Sequence, residues 1–228
     1  MNIQRIPSAL SLIAAAGLVA CSAAPAASAP SAVATTAPTA TAAPTASPTA
    51  VPVALSPKAA GFASTVLIER KRSVPADMPG YVRIAASAAG DAAAITTTLP
   101  EGESFAATYR AASARKDAAG PALYESADFP AVPAGSYTEG LRQIKVQPAG
   151  QSAAHKHPGF ETVLVLEGTI QIRTASSGPQ TLQKGQGFSI LHNVPIQLFN
   201  VGTTMARTLV SSLTADGLPF STELDTSP

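Results

Sequence analysis

The sequence predicts an all-β fold, a small barrel or sandwich, held on an unfolded stalk. Three observations predict it. From Leu123 onward, short runs alternate apolar and polar residues and are broken at close intervals by Gly, Pro and Asn turn signals. Within them, Glu161–Glu167 is apolar on both faces, with Val163 and Val165 on one and Thr162, Leu164 and Leu166 on the other. A strand of that kind is covered on both sides. Finally, residues 22–57 contain no charge and no aromatic residue, and seven prolines interrupt them.

Residues 1–20 have the pattern of an export signal. Arg5 and the amino terminus supply positive charge, and an apolar run from Ala9 to Ala20 is too short to span a bilayer. The run ends in Leu18-Val19-Ala20-Cys21, which resembles the bacterial lipobox. The resemblance implies cleavage before Cys21 and lipidation of its sulfur, with palmitate-type chains anchoring the protein to a membrane. Each buried methylene contributes roughly 0.8 kcal/mol, so two or three chains suffice for stable attachment. Ser22 rather than Asp follows the cysteine. The resemblance therefore places the protein in the cell envelope, outside the cytoplasm, on the outer membrane if the bacterium has two. Cys21 is the only cysteine, so no internal disulfide forms.

The anchor and linker occupy residues 21–57, and after Cys21 the segment is built from Ala, Pro, Ser, Thr, Val and one Leu. Proline at 25, 30, 38, 44, 48, 52 and 57 removes backbone donors and blocks any helix that alanine favours. A disordered, partly polyproline-like stalk is expected, reaching on the order of 100 Å at ~3.1 Å per residue.

Residues 58–121 form an expected accessory segment, mostly β. Thr65–Glu69 is a strand, and Tyr81–Ala85 with Ala94–Leu99 is expected as a hairpin. Ser104–Ala112 fits strand or helix, and Lys116–Pro121 fits a loop. Glu69-Arg70-Lys71-Arg72 is expected to be a solvated strand end. No chemistry is evident in this segment, which would extend a sheet or cover the outer face that strand 161–167 requires.

Residues 122–215 form the main domain and residues 216–228 a C-terminal tail. Leu141–Gln147 alternates, with Ile144 and Val146 on one face and Gln143 and Lys145 on the other. Pro148-Ala149-Gly150 is expected to turn the chain into a strand over 152–157. His155 and His157, two apart on that strand, project from one face. Pro158-Gly159 then reverses the chain, so that Glu161 returns opposite them. Two imidazoles and a carboxylate make a facial set suited to a divalent ion (Zn, Mn, Fe, Ni or Cu) and leave coordination positions open for water, a substrate oxygen or dioxygen.

This stretch resembles the cupin family, whose fold is a double-stranded β-barrel related to the jelly roll. The first family motif is matched by Gly150, His155, His157, Glu161 and Gly168, with four residues instead of five after Gly150. The second is matched by Gly185, Val194-Pro195 and Asn200. The resemblance implies metal on His155, His157 and Glu161, and a histidine as fourth ligand after Val194-Pro195. Ile196 stands there instead. It is either core packing or an apolar wall beside an open coordination site. His192 lies four residues earlier, about 13 Å along a straight strand. It is a rim histidine, or a replacement ligand if the intervening turn shortens that span. Tyr137 and Phe160 flank the site in sequence and either line a pocket or plug the barrel.

Composition narrows the function. A net charge of +1 with 13% charged residues argues against a nucleic-acid partner. Seven Phe, four Tyr and no Trp leave few stacking surfaces. No GxSxG, P-loop or dinucleotide fingerprint is present. The expectation is a surface-anchored lipoprotein whose cupin barrel binds a divalent metal and a small molecule. The alternatives are a metal-dependent dioxygenase or isomerase using the open positions, and a metal-free structural or interaction domain that forms a homodimer through a sheet face.

Overall fold

Among the described residues, alternating side chains become fifteen strands in two sheets. The computed structural model describes Leu55 and residues 58–75, 77–86, 93–117, 120–175 and 177–225. The signal segment, Cys21 and the stalk other than Leu55 lie outside the described residues. All described residues fall within the unit Pro48–Pro228. Among them no helix is long and apolar enough to cross a membrane.

In chain order the strands are β1 (Ala60–Val74), β2 (Met78–Ala85), β3 (Ile95–Thr98), β4 (Ser104–Ala111), β5 (Tyr124–Glu125), β6 (Phe129–Val132), β7 (Gly135–Gln151) and β8 (His155–Lys156). They continue as β9 (Phe160–Glu167), β10 (Thr169–Thr174), β11 (Gln180–Gln183), β12 (Gly187–Ile190), β13 (Ile196–Asn200), β14 (Ala206–Ala215) and β15 (Thr222–Glu223). One sheet runs β11-β10-β13-β7-β14-β9-β12, with β1 on β7 and β8 between β13 and β15. It curls into a nearly closed, cupin-type barrel. The other runs β3-β4-β2-β5, with β6 on β2.

Two apolar layers follow from the two faces of the barrel strands. Inward, Val163 and Val165 of β9 meet Ile170, Ile172, Leu198 and Val210. Outward, Leu164 and Leu166 of the same strand, with Leu209 and Leu213 of β14, pack on Ile84, Phe105 and Phe129 of the second sheet. That sheet is the cover that an apolar strand on both faces demands. Tyr137 and Phe160 belong to this outer layer.

Several local expectations are corrected. Tyr81–Ala85 and Ala94–Leu99 are not a hairpin, because β4 lies between β2 and β3. The tight turn is the next one along: Leu99 N–H donates to Glu103 O at 2.8 Å and Gly102 N–H to Leu99 O at 2.9 Å. That local closure pairs β3 with Ser104–Ala111, which is a strand, and Ala112–Asp117 forms a 3-10 turn. Pro148-Ala149-Gly150 does not end β7. It bulges instead: Ala149 has φ 58°, and β1 pairs Ala60 with Gln151 and then Phe62 with Val146. A Cβ on Gly150 would meet the carbonyl oxygens of Gln147, Ala60 and Gly61 at 2.8, 2.9 and 3.0 Å, so the bulge fits glycine there.

Arg70 and Arg72 are not a solvated strand end. The β1–β7 register sets Arg70 against Glu139. Arg70 Nε donates to Glu139 Oε2 at 2.8 Å, and Arg72 lies 3.2 Å from Oε1. Glu139 is 1% exposed, so both cations are needed to hold its charge in the interior. Arg72 also donates to Tyr109 O at 2.7 Å, which ties the barrel to the second sheet.

Candidate metal centre

His155 and Glu161 reach the site from different parts of the barrel. β8 pairs with β13 and β15, Ile196 facing His155 and Glu223 facing it on the other side. β9 pairs instead with β12 and β14, with Glu161 opposite Ile190 and Ser212. The expected hairpin between the two is therefore absent, and the carboxylate meets the imidazoles across the barrel. Gly159 makes the crossing: a Cβ there would collide with the Leu213 carbonyl oxygen and lie 2.8 Å from Thr214 Cα.

His155, His157, Glu161 and Ile196 line one cavity of about 290 Å³ at the barrel mouth. The two imidazole centroids are 4.8 Å apart and nearly perpendicular. Ile196 both packs in the inner layer and forms a wall of the cavity. His192 is exposed and stacks edge-on against Phe160 at 5.5 Å. It does not line the cavity, and neither do Tyr137 and Phe160. The structure thus brings together the three residues of the first motif and Ile196, and leaves His192, Tyr137 and Phe160 elsewhere.

Backbone carbonyls select which nitrogen each histidine presents. His155 Nδ1 lies 2.8 Å from Ala153 O and His157 Nδ1 lies 2.9 Å from Phe220 O. A carbonyl only accepts, so Nδ1 carries the proton in both rings. In the neutral imidazole Nε2 is then a lone pair, the form a metal ligand takes. His157 is 2% exposed and Glu161 4%. His157 Nε2 and Glu161 Oε2 approach to 2.6 Å, yet neither has a hydrogen-bond partner in hydrogen-bonding geometry. Two buried lone pairs at this distance need a positive charge between or upon them.

Burial pushes His155 below the ordinary histidine range, against the pull of its Ala153 hydrogen bond. Burial presses His157 the same way, but the Glu161 carboxylate beside it wins and the net shift is upward. The donors fit a divalent ion in kind and tautomer. They are not yet spread around one. Among the described residues no three His, Cys, Asp or Glu side chains form a closed metal-holding group. Ligands about 2.1 Å from a common ion are about 3 Å or more apart. An ion between His157 and Glu161 would therefore part them slightly.

Several contributors escaped the sequence reading. Phe62 and Ser64 of β1 line the cavity although residues 58–121 carried no evident chemistry. Phe220 and Glu223 come from the expected tail, where β15 pairs with β8 and the Phe220 ring lies 4.6 Å from that of His157. No local pattern marks them. Arg142 had a legible signal, being two residues before Ile144 on the same alternating face. Asn200 of the second motif organises a turn: its amide donates to Val146 O and Thr204 O, and its oxygen accepts from Gly202 N–H.

Residues 142–212 match the family model described as Cupin domain, and the barrel geometry of this stretch agrees with it. Solved structures with similarity include a recombinant oxalate oxidase in complex with glycolate, at 24% identity over 32% of this chain and 41% of that one, TM-score 0.31. A polyketide cyclase from Streptomyces resistomycificus shows 19% identity over 39% and 62%, TM-score 0.34. A cupin-like protein from Thermotoga maritima shows 16% over 40% and 77%, TM-score 0.34. The chain spans 41% to 46% of the length of the oxalate oxidase chains it matches. No curated protein matches it.

Proposed function

We propose that the cupin barrel holds a divalent metal ion on His155, His157 and Glu161 and binds a small molecule in the cavity beside it. One observation carries the proposal. Both Nδ1 atoms are committed to backbone carbonyls, and the buried His157 Nε2 and Glu161 Oε2 face each other at 2.6 Å with no other partner. A cation satisfies all of these donors at once. It would act as a Lewis acid toward an oxygen of the bound molecule. The protein's own part is to fix the ring orientation and to keep one side of the cavity apolar through Ile196. The export signal and Cys21 support placing the domain outside the cytoplasm on a lipid-anchored stalk, where metal choice follows availability and the affinity order that favours Cu and Zn.

The test is metal content by mass spectrometry of protein purified without a tag, beside the His155→Ala/His157→Ala variant. Near-stoichiometric metal in the wild type and at least a ten-fold drop in the variant are expected. Equal, near-zero metal in both overturns the proposal.

The same 2.6 Å contact favours a second reading, a metal-free domain in which His157 carries the positive charge. The raised His157 value agrees with it, and Ile196 removes the fourth ligand. In that case the imidazole titrates as one half of an ion pair whether or not metal is supplied.

A further inference from the structure

Glu223 stands in one row with His155 and Ile196. Strand β8 lies between β13 and β15, and both neighbours run antiparallel to it. Ile196 is directly opposite His155 on one side, and Glu223 is directly opposite it on the other. Residues opposed in this way project to one face, with β-carbons about 4.5–5.5 Å apart. All three line the cavity. The row runs from buried Ile196 through half-buried His155 to exposed Glu223 at the rim. Bonds on either side of Glu223 keep its strand in this register. Leu224 N–H donates to Ala154 O at 2.9 Å, and Phe220 O accepts from His157 Nδ1 at 2.9 Å.

The charges single this carboxylate out. Arg142 is the only arginine or lysine among the described residues that line the cavity. Its Nη2 donates to Glu69 Oε1 at 2.6 Å, so its charge is already answered from outside the cavity. Glu161 has His157 at 2.6 Å. No side chain among the described residues forms a hydrogen bond or ion pair with the Glu223 carboxylate. With His157 positive and no metal, the cavity lining is left with one uncompensated negative charge. With neutral imidazoles, a divalent ion balances Glu161 and Glu223 together.

We infer that Glu223 is a fourth protein ligand of the ion proposed above, a carboxylate delivered by the C-terminal strand where Ile196 has removed an imidazole. The inference rests on the metal reading of the site. Glu223 approaches from the side of His155 opposite Ile196, so the apolar wall stays free for the bound molecule. The ligand also lies beyond residues 142–212 and so belongs to this chain's own tail rather than to the matched stretch. Two imidazoles with two carboxylates make a harder donor set than three imidazoles with one, since carboxylate oxygen suits the harder ions.

The experiment uses full-length protein stripped with chelator. Calorimetry measures Zn²⁺ affinity, and visible absorption of the Co²⁺-loaded form reports the ion's own donors. Glu223→Ala should weaken Zn²⁺ binding by about ten-fold or more, no less than the loss of an outer partner costs. It should also change the position or intensity of the Co²⁺ bands, which a carboxylate acting only through space leaves as they are. Ile196→His in the Glu223→Ala background should restore most of the affinity, and restored binding shows that the altered chain folds. Zn²⁺ affinity unchanged in Glu223→Ala overturns the inference and leaves the metal reading standing. So does weakened binding with an unchanged Co²⁺ spectrum. Failure of the metal reading looks different: neither ion binds the wild type, and the inference falls with it.

Discussion

Glu101 sits at the turn between β3 and β4, where its carboxylate meets Lys145 at 2.7 Å, Gln143 at 3.0 Å and Arg207 at 3.2 Å. The Lys145 hydrogen bond, helped by Gln143, holds its carboxyl at about 2 against an ordinary value of 4.5. A depressed carboxyl value stabilises the folded chain at pH above the unfolded value, and the contribution is lost as pH falls toward the folded one. Wild type should therefore melt above Glu101→Gln at pH 7. The gap should close between about pH 4.5 and about pH 2, and shrink in high salt because the group is exposed. A gap in melting temperature that stays constant over that range would contradict the assignment. At this scale the sequence was informative where spacing is short. His155, His157 and Glu161 stand within seven positions, and they do share one cavity. Gln143 was placed on the face opposite Ile144 and Val146, and nothing near it in sequence announces that Glu101 will cover it. Arg70 and Arg72 were misjudged for the same reason, since their partner Glu139 lies in another strand.

Strand β9 shows how one element serves two cores. Leu164 faces the second sheet and Val163 faces the cavity, and both are about 1% exposed. Leu164→Ala should cost about 2–5 kcal/mol, the usual range for a buried leucine. Because it opens the layer away from the cavity, metal content should remain that of wild type. Denaturant unfolding followed with metal analysis checks both halves; a small stability change, or lost metal in protein that remains folded, would refute the division of labour. The two-sided character of this strand was legible, and it required a covering layer that residues 58–132 supply. Strand order was not. Which of β3 and β4 lies beside β2, and that β8 turns to β13 rather than to β9, depend on contacts far apart in the chain. Periodicity reports a face but not the neighbour on it. The bulge at Ala149 was taken for a turn because Pro, Ala and Gly in succession suit both, and only the β1 partner decides.

At the scale of the whole molecule, the barrel and the second sheet are held together by apolar packing and by Glu139. The proposed anchor and stalk would set where this unit works. Palmitate labelling tests that arrangement: radiolabel should enter wild-type protein in a lipoprotein-competent host and be absent from Cys21→Ser. Unlabelled wild type would refute the anchor while leaving the barrel chemistry intact.

The Phe220 carbonyl ties the site to a distant strand. The proton of His155 is given to a carbonyl two residues away, whereas that of His157 goes to one 63 residues further along. The first nitrogen is set within its own stretch of chain. The second is set only with β15 docked beside β8. Donor competence at His157 therefore depends on a two-residue strand, and detaching that strand leaves the ring free to present either nitrogen.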